Sequence, residues 1–263
     1  MRRPSESVAN RNAPIIERIR QLKSDHPFWG YRRVWAHLRY VDGMIVNKKR
    51  VYRLMKEHNL IVTKNTRLKA KRVYDKKKPR PNRHNSWWGI DMTKVMSENG
   101  WVYIVIVLDW YTKKIVGHHA GHRAVTRDWL NALDRGINRQ FPCGVRDCML
   151  HLMSDNGSQP TSTTFMKVCC HLGVRQAFTS YNNPKGNADT ERMMRTLKEE
   201  LLWLREWSGE SQIKFALDRW IEKYNESYLH SAHGYKPPNR VELEYKLEHK
   251  QTTCSQNTLL VSA

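Results

Sequence analysis

The chain has 263 residues, of which 46 are Lys or Arg and 25 are Asp or Glu, so its formal net charge is +21. That length allows one large domain or two smaller ones, and so positive a charge favours a nucleic-acid partner over an anionic membrane surface. No apolar run reaches the roughly 18 residues of a membrane span, and the N-terminus lacks the apolar core of a secretory signal. The odd cysteine count of 5 argues against a disulfide framework and indicates a reducing cytoplasm.

Three short helices are predicted near the N-terminus, from the spacing of their apolar residues. They cover Pro14–Lys23, Tyr31–Tyr40 and Lys48–His58, and Asn47 is a suitable N-cap for the third. The third helix carries basic residues on one face, namely Lys49, Arg53 and Lys56. The arrangement resembles a helix-turn-helix unit whose last helix enters a major groove, and the alternative is a small bundle with a solvated charged face. The one-sided charge favours DNA binding.

The positive charge is concentrated in the first part of the chain. Residues 1–83 hold 24 of the 46 Lys and Arg but only 6 of the 25 Asp and Glu. Residues 62–83 have dense charge and little periodicity, which is typical of a linker that lies along phosphates. We therefore predict a helix-turn-helix-like segment over 1–61, a basic linker over 62–83, an enzyme-like core over 84–245 and a C-terminal tail over 246–263.

From Ser86 the pattern changes to strands and helices. Strands are predicted at Trp87–Lys94, Val102–Trp110, Lys114–His119, Met149–Met153 and Val174–Thr179. Helices are predicted at Arg127–Gln140, at Phe165–Leu172, from Asp189 to about Trp207, and from Ser211 to about Ser227. Three strands in succession, followed by alternating helices and strands, indicate an α/β fold with a mixed sheet and flanking helices. A ribonuclease-H-like fold is compatible with that order, as are other α/β folds.

Three carboxylates are spaced so that they can converge. Asp91 and Asp155 each end a predicted buried strand, and Glu191 opens a helix after a gap of 35 residues from Asp155. Carboxylates brought together by two strand ends and a helix start can bind divalent metal ions. The same helix carries three basic residues, Arg192, Arg195 and Lys198. Their charge indicates a polyanionic substrate.

Each carboxylate has an alternative interpretation. Asp155 precedes Asn-Gly and could be a turn residue. Asp91 competes with Asp109, which also ends an apolar run, and the residues alone leave that choice open. Glu191 competes with Glu199 and Glu200. Helix geometry favours Glu191, because it lies at the end of the helix nearest the sheet edge and shares a face with Arg195, Lys198 and Leu202.

The motifs D-M-T, V-L-D-W-Y-T-K-K-I-V-G, S-D-N-G-S-Q and G-N-A-D-T-E-R-M-M-R-T-L-K together resemble insertion-sequence-three family transposases. That family lies within the DDE transposase and retroviral integrase superfamily. Upstream, H-P-F-W-G-Y-R-R-V resembles the helix-turn-helix-like segment that precedes the family's core. The resemblance implies a ribonuclease-H-like core with Asp91, Asp155 and Glu191 as catalytic and metal-binding residues. It also implies two Mg²⁺ ions, for which Mn²⁺ can substitute, and a contact from Lys198 to terminal DNA.

The resemblance implies a bacterial DNA transposase that cleaves element ends and transfers the 3′-hydroxyl strand. From their charge, Arg192 and Arg195 are predicted to contact the DNA beside Lys198. The partners of such a transposase would be double-stranded element ends and target DNA, further copies of the chain on DNA, and a protein encoded by an upstream reading frame. The expected location is the bacterial cytoplasm, in association with the nucleoid and with no membrane contact. The alternatives are a non-catalytic DNA-binding regulator of the element and a ribonuclease-H-type nuclease.

Overall fold

The computed structural model describes residues 6–62, 80–146, 148–179 and 187–260. The chain divides into two compact units, with the boundary between Arg72 and Val73. Most of the predicted basic linker, residues 63–79, lies outside the described residues, as do residues 180–186. No helix in the described ranges is long and apolar enough to cross a membrane.

The first unit contains three helices, α1 (Glu6–Asp25), α2 (Tyr31–Tyr40) and α3 (Lys48–Glu57). Their apolar faces form one core, and the predicted bounds of α2 and the start of α3 are confirmed. The predicted start of α1 at Pro14 is wrong, because the helix begins eight residues earlier. Buried Asn12 accepts hydrogen bonds from the Arg50 guanidinium at 2.6 and 3.0 Å, and this tertiary contact stabilises the turn before Pro14.

The second unit is built on a five-stranded mixed sheet. Its strands are β1 (Trp87–Ser97), β2 (Gly100–Asp109), β3 (Ile115–Gly121), β4 (His151–Ser154) and β5 (Arg175–Phe178). They lie in the order β3-β2-β1-β4-β5, with antiparallel pairing among the first three and parallel pairing of β4 with β1 and β5. The flanking helices are α4 (Thr126–Gln140), α5 (Thr163–Leu172), α6 (Ala188–Leu197), α7 (Glu210–Ser227) and α8 (Pro238–Leu260). The predicted mixed sheet of ribonuclease-H type is confirmed.

Both faces of the sheet are buried, and β2 shows why. Ile104 and Ile106 point to the face covered by α6 and α7, whereas Val105 and Val107 point to the face covered by α4 and α5. All four are fully buried. Because successive side chains of a strand point to opposite faces, a strand covered on both sides needs an unbroken apolar run.

Gly89 lets α6 pack directly against β1. A Cβ atom at this position would lie 2.0 Å from Thr190 Oγ1 and 2.3 Å from Trp110 Nε1. The space is taken by a buried hydrogen bond, in which the Trp110 indole donates to Thr190 Oγ1 at 3.0 Å. Asn187, just before α6, donates from its amide to the Ile90 carbonyl at 3.4 Å. The start of α6 is therefore fixed to the middle of the sheet.

The predicted end of the helix that begins near Asp189 is wrong. The α6 helix does not run to Trp207, because it passes at Lys198–Leu202 into a single π turn and then ends. Leu204, beyond this turn, is 42% exposed. Residues 246–260 of the predicted C-terminal tail belong to α8. Buried Glu242 of that helix pairs with Lys114 beside β3, and this contact is not visible in the local sequence pattern.

Candidate active site

The sheet register makes Asp91 and Asp155 neighbours. Gly89 of β1 and Met153 of β4 form the last pair of the parallel β1–β4 ladder. Asp91 and Asp155 each lie two residues beyond this pair in the sequence. Asp91 was predicted to end its strand. In the structure it lies inside β1, opposite Ile106 of β2. It lies just past the last residue of β1 that pairs with β4. Odd-numbered positions of β1 face α6, because Gly89 contacts Thr190, so Asp91 points to that face.

Asp155 opens a tight turn directly after β4. Its Oδ1 accepts a hydrogen bond from the Gly157 N–H at 3.1 Å, and Asn156 donates from its amide to the Thr179 carbonyl at 2.6 Å. The side chain of Asp155 is exposed. A carboxylate that bonds the backbone two residues ahead is typical of Asx turns. Asp155 is thus a turn residue with a solvent-facing carboxylate, and the two interpretations of this position are compatible.

Glu191 is delivered by the first turn of α6. Next to it, Thr190 is fully buried against Trp110, and Asp189 forms an ion pair with Lys113 at 2.9 Å. The Glu191 N–H donates to the Asn187 carbonyl at 3.0 Å, and the carboxylate is exposed. Because its two preceding residues are anchored to the sheet, Glu191 has a defined position on the face that also carries Asp91.

The electrostatics of Asp91 link the three carboxylates. Burial, together with the negative charges of Asp155 and Glu191, raises its pKa to about 6. The Met92 N–H, which donates to Asp91 Oδ1 at 2.8 Å, and the positive charge of Lys198 act in the opposite direction. This concentration of negative charge would favour a bound cation.

A cleft of about 300 Å³ opens beside Asp91. Its lining contains both signs of charge and one large aromatic ring: Asp91, Met92, Thr93, Glu191, Met194, Arg195, Lys198 and Trp203. The sequence-predicted residues Arg195 and Lys198 therefore lie in the same cleft as two of the carboxylates. Arg192 and Asp155 are not part of its lining.

The donor chemistry of these residues fits a divalent metal ion. Three carboxylates supply the hard oxygen ligands that Mg²⁺ and Mn²⁺ prefer. Within the described ranges, however, no three His, Cys, Asp or Glu side chains are grouped closely enough to hold an ion. Asp155 and Glu191 are exposed, so core packing does not restrict the rotation of their side chains.

Asp109, the competitor of Asp91, has a different environment. It is 1% exposed and accepts hydrogen bonds from the N–H groups of Asn85, Tyr111 and Thr112 at 2.6, 2.7 and 3.0 Å. Burial raises its pKa to about 6. These bonds hold the β2–β3 turn together and leave no face of the carboxylate open to a substrate. The structure therefore separates two aspartates that the sequence pattern could not.

Sequence reasoning missed Trp203. Regular helical spacing predicted that Leu202 would share the face of Glu191, Arg195 and Lys198. In the structure Leu202 is 2% exposed, and Trp203 lines the cleft instead. The Trp203 N–H donates to the Lys198 carbonyl five residues earlier, at 2.9 Å. The extra residue in this π turn shifts the following positions by one, and no local sequence signal announces it.

The first unit presents a basic surface of its own. Lys49, Arg53 and Lys56 are all exposed on α3, while Val51 and Leu54 of the same helix are buried. Two other basic residues of α3 contact the unit itself. Lys48 lies 4.1 Å from the ring centroid of Trp35, and Arg50 bonds Asn12. The three residues predicted to bind DNA are thus the ones that face solvent.

Comparison with known proteins agrees with this architecture. The family described as "Integrase core domain" matches residues 81–184, a second family of that description matches 172–238, and an "HTH-like domain" matches 9–69. The second unit is therefore similar to integrase core domains, and the first to an HTH-like domain. The chain's resemblance to insertion-sequence-three transposases is confirmed by relatives such as transposase InsD for insertion element IS2D of Escherichia coli K12. That protein is 26% identical over 235 residues, which cover 85% of this chain and 76% of the relative.

Two solved structures of viral integrases are similar to this chain. An intasome of simian T-cell lymphotropic virus, solved with the PP2A regulatory subunit B56 gamma, covers 85% of this chain and 74% of its own, with a TM-score of 0.50 and 15% identity. The catalytic core domain of BIV integrase covers 64% of this chain and 99% of its own, with a TM-score of 0.46 and 20% identity. At these identities the first likeness supports the fold alone.

Proposed function

We propose that this chain is a DNA transposase that cleaves the ends of a bacterial insertion sequence and transfers the resulting 3′-hydroxyl strand to target DNA. The observation that carries the proposal is the cleft that Asp91 and Glu191 line together with Arg195 and Lys198. Asp155 is not in the lining, but it follows β4 at the end of the β1–β4 pairing, and its charge acts on Asp91. The similarity to integrase core domains and the net charge of +21 support DNA as the substrate.

Asp91, Asp155 and Glu191 would hold two Mg²⁺ ions, or Mn²⁺ in their place. Such ions, when bound, activate an attacking hydroxyl and neutralise charge on the phosphate oxygens. Arg195 and Lys198 would bind the phosphates that flank the cut, and Arg192 would contact DNA outside the cleft. Asp91 is largely buried, whereas Asp155 and Glu191 are exposed.

The exposed residues Lys49, Arg53 and Lys56 of α3 would hold the duplex, while the second unit performs the chemistry. In the same proposal several copies act together on DNA in the bacterial cytoplasm, near the nucleoid, and an upstream-frame protein assists them. The proposal keeps the predicted domain boundaries: a DNA-binding segment over 1–61, a linker over 62–83, a catalytic core over 84–245 and a C-terminal segment over 246–263.

The test is a nicking assay with a labelled duplex that carries the inverted repeat flanking the gene. Asp155→Asn should leave DNA affinity unchanged and reduce Mg²⁺-dependent nicking below detection, because a neutral amide is a poor ligand for Mg²⁺. Asp134→Asn is the matched control, since Asp134 is an exposed carboxylate on α4. Retained cleavage by Asp155→Asn would contradict the assignment. Cleavage of an RNA–DNA hybrid in preference to duplex DNA would favour a ribonuclease-H-type nuclease.

A further inference from the structure

Trp203 is an exposed aromatic residue inside the candidate active site. Its side chain is 61% exposed, whereas Trp207, four residues later, is 2% exposed and donates from its indole to the Leu202 carbonyl at 3.1 Å. Among the described residues, none is stacked on the Trp203 ring. Burial of an indole is favourable, and an indole exposed to water lacks most of that free energy. Binding of a partner that covers the ring would therefore be favoured by it.

The π turn is what aims Trp203 into the cleft. Lys198 begins this turn, and its carbonyl accepts the Trp203 N–H. In an uninterrupted α-helix Leu202 would follow Lys198 on this face, and the cleft would end in an aliphatic side chain. Single π turns are frequent at functional sites because they re-aim side chains without breaking the helix. The indole consequently shares the cleft with Lys198, Arg195, Glu191 and Asp91.

The chemistry of the lining identifies an occupant, given the proposed function. Lys198 and Arg195 offer two positive charges, and the indole beside them offers a flat apolar surface. A nucleotide has the same two parts, a phosphate and a planar base. Within a duplex the base is stacked between its neighbours and cannot reach a protein ring, so only an unpaired base fits.

We propose that Trp203 stacks on an unpaired base next to the phosphate that is cut. The ring would act as a positioning residue: by holding the base out of the duplex it fixes the strand whose phosphate lies between Lys198 and the carboxylates. This inference rests on the proposed function and adds to it that the DNA end is locally opened at the active site.

The test compares Trp203→Ala with Trp203→Phe on the end-containing duplex. The loss of one base stack predicts a decrease of roughly 5- to 150-fold in nicking for Trp203→Ala. Trp203→Phe keeps a flat ring and should retain most of the activity. Trp101→Ala is the matched control, because Trp101 is also exposed, at 41%, but lies outside the cleft lining. Equal thermal unfolding of all variants excludes a folding defect.

An abasic substrate identifies the stacked base. Single abasic nucleotides are placed in turn on each side of the scissile phosphate. When the abasic nucleotide is at the contacted position, nicking by the wild type should fall to the rate of Trp203→Ala on the intact duplex. Nicking by Trp203→Ala should not decrease further. A Trp203→Ala defect of equal size at every abasic position would overturn the proposal, as would wild-type activity of Trp203→Ala on the intact duplex.

A binding assay separates this inference from the proposed function. Fluorescence anisotropy with a labelled short oligothymidylate, in Ca²⁺, measures stacking without cleavage. Weaker binding by Trp203→Ala, restored in Trp203→Phe, supports the stacking role even if no duplex is nicked, in which case only the proposed function fails. Equal affinity of the wild type and Trp203→Ala overturns the stacking role, even if the wild type nicks DNA.

Discussion

Asp91 is the least exposed of the three candidate carboxylates, and its protonation follows from that position. Burial, together with Asp155 and Glu191, raises its pKa from 3.8 to about 6. The folded chain therefore binds this proton more tightly than the unfolded chain does. As the pH rises from 3.8 to about 6, the stability associated with Asp91 falls, and above that window it stays constant. A bound cation would offset the loss.

Asp91→Asn tests this linkage. The amide is neutral at every pH, so the variant should be more stable than the wild type at pH 7.5, by up to about 3 kcal/mol, and the difference should shrink towards zero near pH 4. Urea denaturation at the two pH values measures it. In addition, Mg²⁺ at pH 7.5 should stabilise the wild type and not the variant. If the stability gained by Asp91→Asn is the same at both pH values, the charge of Asp91 does not destabilise the folded protein.

At the scale of elements, the contact between β1 and α6 decides where Glu191 lies. Gly89, Thr190 and Trp110 meet there with no spare volume. Glu191 is the residue after Thr190, so a shift of α6 away from the sheet would carry this carboxylate away from Asp91. Close backbone packing of a strand and a helix is one of the situations in which only glycine fits.

Gly89→Ala should therefore cost stability and activity together. The added methyl group would overlap Thr190 Oγ1 and the Trp110 indole. The expected loss is about 1–3 kcal/mol in the free energy of unfolding, with a larger relative loss of nicking. Gly30→Ala is the control, because nothing lies within 4 Å of a Cβ there and its φ of −78° suits alanine. Unchanged nicking in Gly89→Ala would show that α6 can shift without affecting Glu191.

At the scale of the whole molecule, charge is divided between two compact units. The first unit exposes the cations of α3, and the second holds the carboxylates. Phosphate contacts raise affinity for any DNA sequence and make it depend on salt. In the proposed function, duplex binding and strand cleavage are therefore separable properties of one chain.

Replacing Lys49, Arg53 and Lys56 together by alanine should separate duplex binding from strand cleavage. Binding should weaken, and the slope of log affinity against log salt should become shallower by roughly 0.9 for each phosphate that the variant no longer neutralises. Nicking at saturating DNA should persist, because the carboxylates are untouched. Lys49→Arg with Lys56→Arg keeps the charge and should keep the slope. An unaltered slope in the alanine variant would instead indicate a solvated charged face.

Local pattern alone predicted most of the fold. The unbroken apolar run of β2 and the stripe on α3 follow from which faces must be buried, and the Asn47 cap follows from the need to satisfy the first N–H groups. For the candidate site, the sequence supplied Asp91, Asp155 and Glu191 and the cations near them. It could not choose between Asp91 and Asp109 without the resemblance.

Tertiary structure decided what depends on contacts between distant residues. The β1–β4 register made Asp91 a neighbour of Asp155, and three backbone N–H groups occupied Asp109. The π turn replaced Leu202 with Trp203 in the cleft. Side-chain periodicity is a local property that burial imposes on each element. Three properties are set only when separate elements pack together: the strand register, the helix phase after an inserted residue and the access of solvent to a carboxylate. The local sequence pattern therefore could not predict them.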